Sequence, residues 1–322
     1  MKASGQDKLV YICTKLYNYN DKLQAEFFEE VLLSHVRCAT FMPFRDSNEN
    51  ELTGESKTRI VYDADIERLN SKELSLLAVL YDGICKDEGI SFEIGYAYGK
   101  GIPIYIINTD FIWYAIGGKE FIFDPIIYSM ATDYTHQFEI FSSESFKASL
   151  YKSQNCAFAL AAEKIKKLLC APKPVNGSLK KENIFSVFFD FGGGKYEYQR
   201  DYMRWLENVL LSKGLKFEKS SRFEKFDCDI GKTDIENLLA SQVFVCLGDE
   251  VELNSGTAAL IGLARSADKK IILYESSCVE IHGENGHRMK KNLMIDYSID
   301  KVAKTKEQII EFIMEEMNVS EA

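Results

Sequence analysis

The 322-residue chain predicts an α/β protein built from two doubly wound parallel sheets in tandem. Three observations predict it. Short apolar runs alternate with segments whose apolar residues recur at helical spacing, and that alternation calls for parallel strands covered by helices. The stretch Ala171 to Lys181 (APKPVNGSLKK) interrupts it with two prolines, an Asn-Gly pair and no apolar period, and reads as a linker. Beyond the linker the same order of elements starts again, the mark of an internal duplication. The expected division is residues 1–170, a linker at 171–181, and residues 182–322.

In the first half, Leu9 to Cys13 reads as a short buried strand. Asp21 to Leu33 carries Leu23, Phe27, Phe28, Val31 and Leu32 at helical spacing. Val36 to Met42 is the expected second strand, and the polar Pro43 to Lys57, with Asn48, Asn50 and Gly54, an exposed loop. A helix from Ile60 to Leu69 carries Asp63 and Asp65 and delivers the chain to Ser75–Leu80, a strand apolar on both faces as central parallel strands are. That strand ends in Tyr81-Asp82-Gly83. A polar loop runs to Asp87, a helix opens near Gly89, and Ile102 to Ile107 is the parallel neighbour. After Ile107 the pattern weakens through Gly117-Gly118 and Phe121 to Tyr128, which includes Asp124-Pro-Ile-Ile127, before a closing helix from Asn155 to Leu169.

The second half repeats this grammar. Phe185 to Phe191 is a strand, Gly192 to Gly194 a turn, Tyr196 to Leu211 a helix with Trp205 and Leu206 on its apolar side, and Leu215 to Lys219 a strand. Asp234-Ile-Glu-Asn-Leu238 echoes Asp65-Ile-Glu-Arg-Leu69, and Val243 to Leu247 followed by Gly248-Asp249 echoes the strand ending at Asp82. Asn254 to Ala264 falls on Asp87 to Ala97, and Lys270 to Tyr274 is the next strand.

Composition excludes several classes of function. A formal charge of -10 with a pI near 5.1 and no long basic run leaves a nucleic-acid backbone nothing to hold. No apolar run approaches the ~18 residues of a membrane span, and the polar start at Met1 to Lys8 lacks the layout of a signal peptide. Eight cysteines, with no Cys-x-x-Cys and several in apolar runs such as Val10 to Cys13 and Val243 to Cys246, read as reduced core residues of a cytoplasmic protein. His282 and His287 have no neighbouring His or Cys at metal-ligand spacing, so no metal is expected, and no organic cofactor.

In an open parallel sheet the ligand crevice lies beyond the carboxyl ends of the strands, where Asp82, Asp87 and Glu93 collect. Glu93 stands three residues after Ile90 and four before Ala97, at the edge of the stripe that Ile90, Ile94 and Ala97 form. With the helix opening near Gly89, the free N–H groups of its first turn favour an ionised carboxylate there. A fixed, ionised carboxylate suits nucleophilic displacement at carbon.

Asp87, Glu93, Gly95, Tyr96 and Ala97 form Asp-(x5)-Glu-x-Gly-Tyr-Ala, which resembles the signature of the nucleoside 2-deoxyribosyltransferase family and its 2'-deoxynucleotide N-hydrolase relatives. The resemblance covers Lys8 to Ile127 well and Asn183 to Ile295 loosely. It implies two Rossmann-like, flavodoxin-like domains and a displacement in which Glu93 attacks the anomeric carbon of a 2'-deoxynucleoside. A covalent deoxyribosyl-enzyme forms, and a second nucleobase or water completes two inversions, as in retaining glycosidases. It implies that Asp87 hydrogen-bonds the leaving base and supplies its proton, that Tyr11 aims the carboxylate, and that Asp65 contacts the base. Each has a plainer reading: Glu93 as a helix cap or partner of Arg59 or Lys100, Asp87 as a loop acid, Tyr11 as a core aromatic and Asp65 as a structural brace, since Asp234 recurs in the second half. Asp82 suits the Asp-Gly turn for backbone reasons alone, with a substrate contact as the other reading, and Gly89 is a further candidate for substrate binding.

In the second half Leu260 stands at the nucleophile position and Asn254 at the acid position, so that half is expected to lack the chemistry. Asn292-Leu-Met-Ile295 resembles the family's Asn-x-Met element after the fifth strand, whose asparagine reaches a neighbouring subunit's site and holds the sugar 5'-hydroxyl. The expectation is that the duplication fuses a dimer, with Asn292 completing the site of Glu93; otherwise Asn292 to Ile295 is a strand. The glycines at 192 to 194 leave room for a nucleotide regulator. The expected partners are a nucleoside or nucleotide and a nucleobase, with no nucleic acid, no membrane and a possible homo-oligomer. Transfer of deoxyribose between bases is the leading reading, with hydrolysis of a deoxynucleotide or NAD-type dinucleotide, or nucleotide sensing without turnover, as alternatives.

Overall fold

The computed structural model describes residues 8–16, 18–47, 57–81, 87–108, 114–116, 119–121, 123–136, 150–171, 183–191, 197–220, 229–249, 253–276, 281–282, 288–289 and 291–318. The first unit contains β1 (Leu9–Cys13), α1 (Tyr19–His35), β2 (Ala39–Phe41), α2 (Pro43–Asp46), α3 (Lys57–Leu69), β3 (Leu74–Leu80), α4 (Glu88–Gly99) and β4 (Ile104–Asn108). A hairpin of β5 (Tyr114–Ile116) and β6 (Lys119–Phe121), then α5 (Pro125–Met130), β7 (Asp133–His136) and α6 (Leu150–Cys170), complete it. The second contains β8 (Phe185–Asp190), α7 (Glu197–Ser212), β9 (Phe217–Lys219), α8 (Ile230–Leu239), β10 (Ser241–Leu247), α9 (Ser255–Ser266) and β11 (Lys270–Tyr274). A small ladder of β12 (Ile281–His282) and β13 (Arg288–Met289), α10 (Leu293–Asp296), β14 (Lys301–Ala303) and α11 (Lys306–Asn318) follow.

Both large sheets are parallel throughout and share one strand order, β2-β1-β3-β4-β7 and β9-β8-β10-β11-β14. The order reverses between β1 and β3, and again between β8 and β10, which puts a crevice beyond their carboxyl ends. The equivalences are set by register. Leu77 pairs with Ile104 as Phe244 pairs with Ile271, and Tyr11 lies beside Leu77 as Phe188 lies beside Phe244.

Alternation along the strands sorts side chains into separate cores. Val10, Ile12, Leu76, Ala78 and Leu80 face α1 and α6 in one core. Val187, Phe189, Val243 and Val245 face α7 and α11 in another. The inward faces of the two sheets share a third core, in which α3, α4, α8 and α9 form one common helical layer. The units are therefore joined by a continuous apolar interior.

The crossing of α4 and α9 is the centre of that layer. A Cβ built on Gly95 would stand 1.8 Å from the Ala259 carbonyl oxygen, and one on Gly262 would stand 2.0 Å from that of Phe92. Only glycine permits backbones this close. From Glu88 to Ala97 every residue of α4 is buried, a helix covered on all sides instead of along one stripe.

Several expectations need correction. The second strand is three residues long, because Val36 ends α1 as its C-cap. The segment after Met42 begins as a helical turn: Phe44 is buried, and Asp46 accepts the Met42 N–H at 2.8 Å. A fifth strand, Asp133–His136, lies where no pattern was read, its pairing supplied by β4. Cys156 and Cys170 are exposed, while Cys13 and Cys246 are buried. No described helix is long and apolar enough to cross a membrane. The linker from 172 onward, Asp82, the Gly192 to Gly194 turn and His287 lie outside the described residues.

Candidate functional site

Two elements bring the principal acids together. Asp87 is the N-cap of α4: its Oδ1 accepts the main-chain N–H groups of Gly89 at 2.7 Å and Ile90 at 3.1 Å. That fixes where the helix starts and how Asp87 is turned. Glu93 therefore lies in the second turn, not the first as the spacing suggested, and the first-turn N–H groups are engaged by Asp87. What holds Glu93 comes from β1: the Tyr11 hydroxyl donates to its Oε1 at 2.8 Å.

Both groups are inside the protein, Tyr11 fully and Glu93 at 6% exposure. Burial first, then the charges of Asp65 and Glu93, push the Tyr11 phenol well above its ordinary value, so it remains a protonated donor. The alternative partners of Glu93 are engaged elsewhere. Arg59 pairs with Asp63 at 3.0 Å, and the Lys100 ammonium lies over the Tyr96 ring.

Asp65, on α3, is 4% exposed, and its charge is felt at both Tyr11 and Cys13. Its counterpart Asp234 is fully buried and accepts the Ser220 hydroxyl at 2.5 Å, a bracing arrangement in the second unit. Cys13, two residues beyond Tyr11 on the same face of β1, is a neighbour of Glu93 that sequence reasoning assigned to the core. Its thiol is pushed well above the usual range by burial first, then by the charge of Glu93 and a hydrogen bond to it. Period-two spacing from Tyr11 was the signal that could have found it.

Asn292 is brought to the first unit by α10. It is the N-cap of that helix, its Oδ1 accepting the Met294 N–H at 2.9 Å, so the strand reading is corrected. It also precedes the fifth strand of its sheet, β14, instead of following it. Its carboxamide lies against the start of α4: a Cβ on Gly89 would stand 3.0 Å from Asn292 Nδ2 and 2.9 Å from Asp87 Oδ1. Gly89 and Glu93 are four residues apart and share a helix face. Asp87, Asn292, Glu93, Tyr11 and Asp65 thus border one region at the carboxyl ends of β1 and β3. Among the described residues no group of three or more His, Cys, Asp or Glu is arranged to hold a metal ion.

The comparisons with known proteins come to this. A family model described as nucleoside 2-deoxyribosyltransferase matches residues 10–145. A solved structure of a conserved protein from Enterococcus faecalis V583 is 26% identical with a TM-score of 0.29, over 32% of this chain and 65% of that one. The chain thus spans just under two thirds of that protein. A periplasmic binding protein/LacI transcriptional regulator from Alkaliphilus metalliredigens QYMF, complexed with D-xylulofuranose, is 10% identical with a TM-score of 0.23, over 97% of this chain and 91% of that one. At those TM-scores neither likeness bears on the argument. A search of curated proteins finds no match.

Proposed function

We propose, from the match of residues 10–145 to the family model described as nucleoside 2-deoxyribosyltransferase, that the protein cleaves the N-glycosidic bond of a 2'-deoxynucleoside and passes the sugar to another nucleobase. The observation that carries this reading is the buried Glu93 carboxylate aimed by the Tyr11 hydroxyl, in a family whose substrates are nucleosides and nucleobases. In the first step a Glu93 oxygen bonds to C1' as the C1'–N bond breaks. The departing base keeps the electron pair and takes a proton, which Asp87 supplies in this reading. In the second step a ring nitrogen of the incoming base attacks C1' from the opposite face and gives its proton to Asp87, the bond to Glu93 breaks, and both carboxyl groups return to their starting states.

The remaining residues have supporting roles in this reading. Asp65 contacts the base, Gly89 leaves space at the helix start, and the Asn292 amide holds the sugar 5'-hydroxyl. Residues 1–170 form the catalytic domain, and residues 182–322 a domain that completes its site without turnover of its own. The test is incubation with 2'-deoxyinosine and adenine, followed by chromatography of the bases and nucleosides. Deoxyadenosine formation supports transfer. Hypoxanthine release without deoxyadenosine assigns hydrolysis instead, and no change in either contradicts catalysis.

A further inference from the structure

Glu88, one residue after the helix cap, is an unexpected side chain to find buried. It sits in the first turn of α4 at 6% exposure and points across the unit boundary. One carboxylate oxygen accepts the main-chain N–H of Leu253, which leads into α9, and the other accepts that of Asn292 at 3.2 Å. Lys291, itself 3% exposed and next to Asn292 in the chain, supplies the nearby positive charge. A buried carboxylate kept by two charge-assisted hydrogen bonds and a cation is held in one place, and it holds its donors in return.

The consequence concerns Asn292. Its side-chain oxygen is engaged in capping α10, so its main-chain position determines where the amide Nδ2 lies. That main chain is tied to α4 by Glu88, and Nδ2 lies against Gly89, one helical turn before Glu93. The equivalent position in α9 is Ser255, an uncharged side chain, so the carboxylate latch runs in one direction only.

We infer that Glu88 is a positioning residue that ties the main chain of Asn292 to the start of α4 and thereby sets the Asn292 amide over the sugar subsite of the first unit. This rests on reading Glu93 as the nucleophile and Asn292 as a sugar ligand. Its effect on the sugar is exerted through Asn292.

The experiment measures kcat and KM for 2'-deoxyinosine, with adenine as acceptor, in the full chain. It uses Glu88→Gln, Asn292→Ala, the double variant and Glu93→Ala. A glutamine matches the volume of Glu88 but offers one acceptor where two N–H groups need one. Glu88→Asp, which keeps both acceptors on a stem one methylene shorter, stands in if the glutamine variant folds poorly. Losing one oriented sugar contact is expected to raise KM up to roughly tenfold in Asn292→Ala, and losing one of the charge-assisted bonds that position it to raise KM by a smaller factor in Glu88→Gln, with kcat changed far less. The double variant should match Asn292→Ala alone, because coupled residues are not additive.

Three results would overturn the inference. An unchanged KM in Glu88→Gln beside a raised KM in Asn292→Ala removes Glu88 and leaves the proposed function standing. Additive losses with a fall in thermal stability that accounts for them make Glu88 merely structural. Unchanged KM in both single variants removes Asn292 as a sugar ligand and the inference with it. The underlying reading fails separately, through full turnover in Glu93→Ala.

Discussion

Helices α4 and α9 occupy equivalent places in two sheets of identical strand order, yet only one carries a nucleophile candidate. Asp87 caps α4 and Asn254 caps α9 through the same bond, to the N–H two residues on. Capping requires an acceptor oxygen, which both residues have. One turn later the helices diverge: Glu93 is bonded by Tyr11, whereas Leu260 is fully buried at a position whose strand neighbour is Phe188. The polar pair of one unit is an apolar pair in the other. At the end of the strand, Cys13 is answered by Asp190, which accepts the Thr257 hydroxyl at 2.7 Å. The fold tolerates either set, so the sheet and caps specify the shared architecture, and the two units differ in the second turn of the helix, where the proposed nucleophile lies.

The sharpest way to break this comparison is to make the units alike. Glu93→Ala gives the first unit an apolar residue as at Leu260, and turnover of 2'-deoxyinosine should fall by roughly three or more orders of magnitude, as when other nucleophiles are removed. Circular dichroism should show the fold retained. Tyr11→Phe copies Phe188 and removes one hydrogen bond to a charged group; kcat should fall about ten- to hundred-fold, from ~1.5–3 kcal/mol of lost orientation. Since the Tyr11 phenol is raised well above 10.0, it stays protonated through neutral and mildly alkaline pH. An alkaline limb in the wild-type rate profile should therefore persist in Tyr11→Phe.

Gly95→Leu tests the crossing instead of the chemistry. The added side chain meets the Ala259 carbonyl, and overpacking of this kind costs about 1–3 kcal/mol or more. It should lower the thermal midpoint by several degrees and, by displacing α9, weaken activity less than Glu93→Ala does.

The smallest expected effect is a pH dependence of stability from Glu88. Burial raises its carboxyl above the value of 4.5, opposed by the N–H groups of Leu253 and Asn292 and by Lys291, with Asp87 adding to the rise. A raised acid holds more protons folded than unfolded, so its contribution to stability falls as pH rises from about 4.5 through the folded value. With pH rising through that range, thermal midpoints of Glu88→Gln should fall less, or rise more, than those of the wild-type chain.

Much of this organisation was legible in residues and spacing. Apolar strands at Leu9–Cys13 and Lys270–Tyr274 were readable because parallel central strands are apolar on both faces. The Asp87 to Glu93 interval was readable as a family-like signature, but the helix start was not: Asp87 is the N-cap, which puts Glu93 in the second turn. The fifth strand at Asp133–His136 was not, since Asp-Tyr-Thr-His carries no apolar run and owes its extended form to pairing with β4. Nor was the burial of Glu88: an acid in a first turn looks like dipole compensation, and only the apposition of the units shows that it faces Leu253 and Asn292. The same apposition brings Asn292 beside Gly89, and the start of α10 makes it a helix cap instead of the strand residue of the plainer reading.

The central claim is that Glu93 forms a bond to the sugar. The most direct measurement is mass spectrometry of the protein quenched after mixing with 2'-deoxyinosine alone and digested to peptides. The account predicts a deoxyribosyl adduct on the peptide containing Glu93, lost when adenine is added before quenching and absent in Glu93→Ala. Base exchange that continues at the wild-type rate in Glu93→Ala, with no adduct at that peptide, would contradict it.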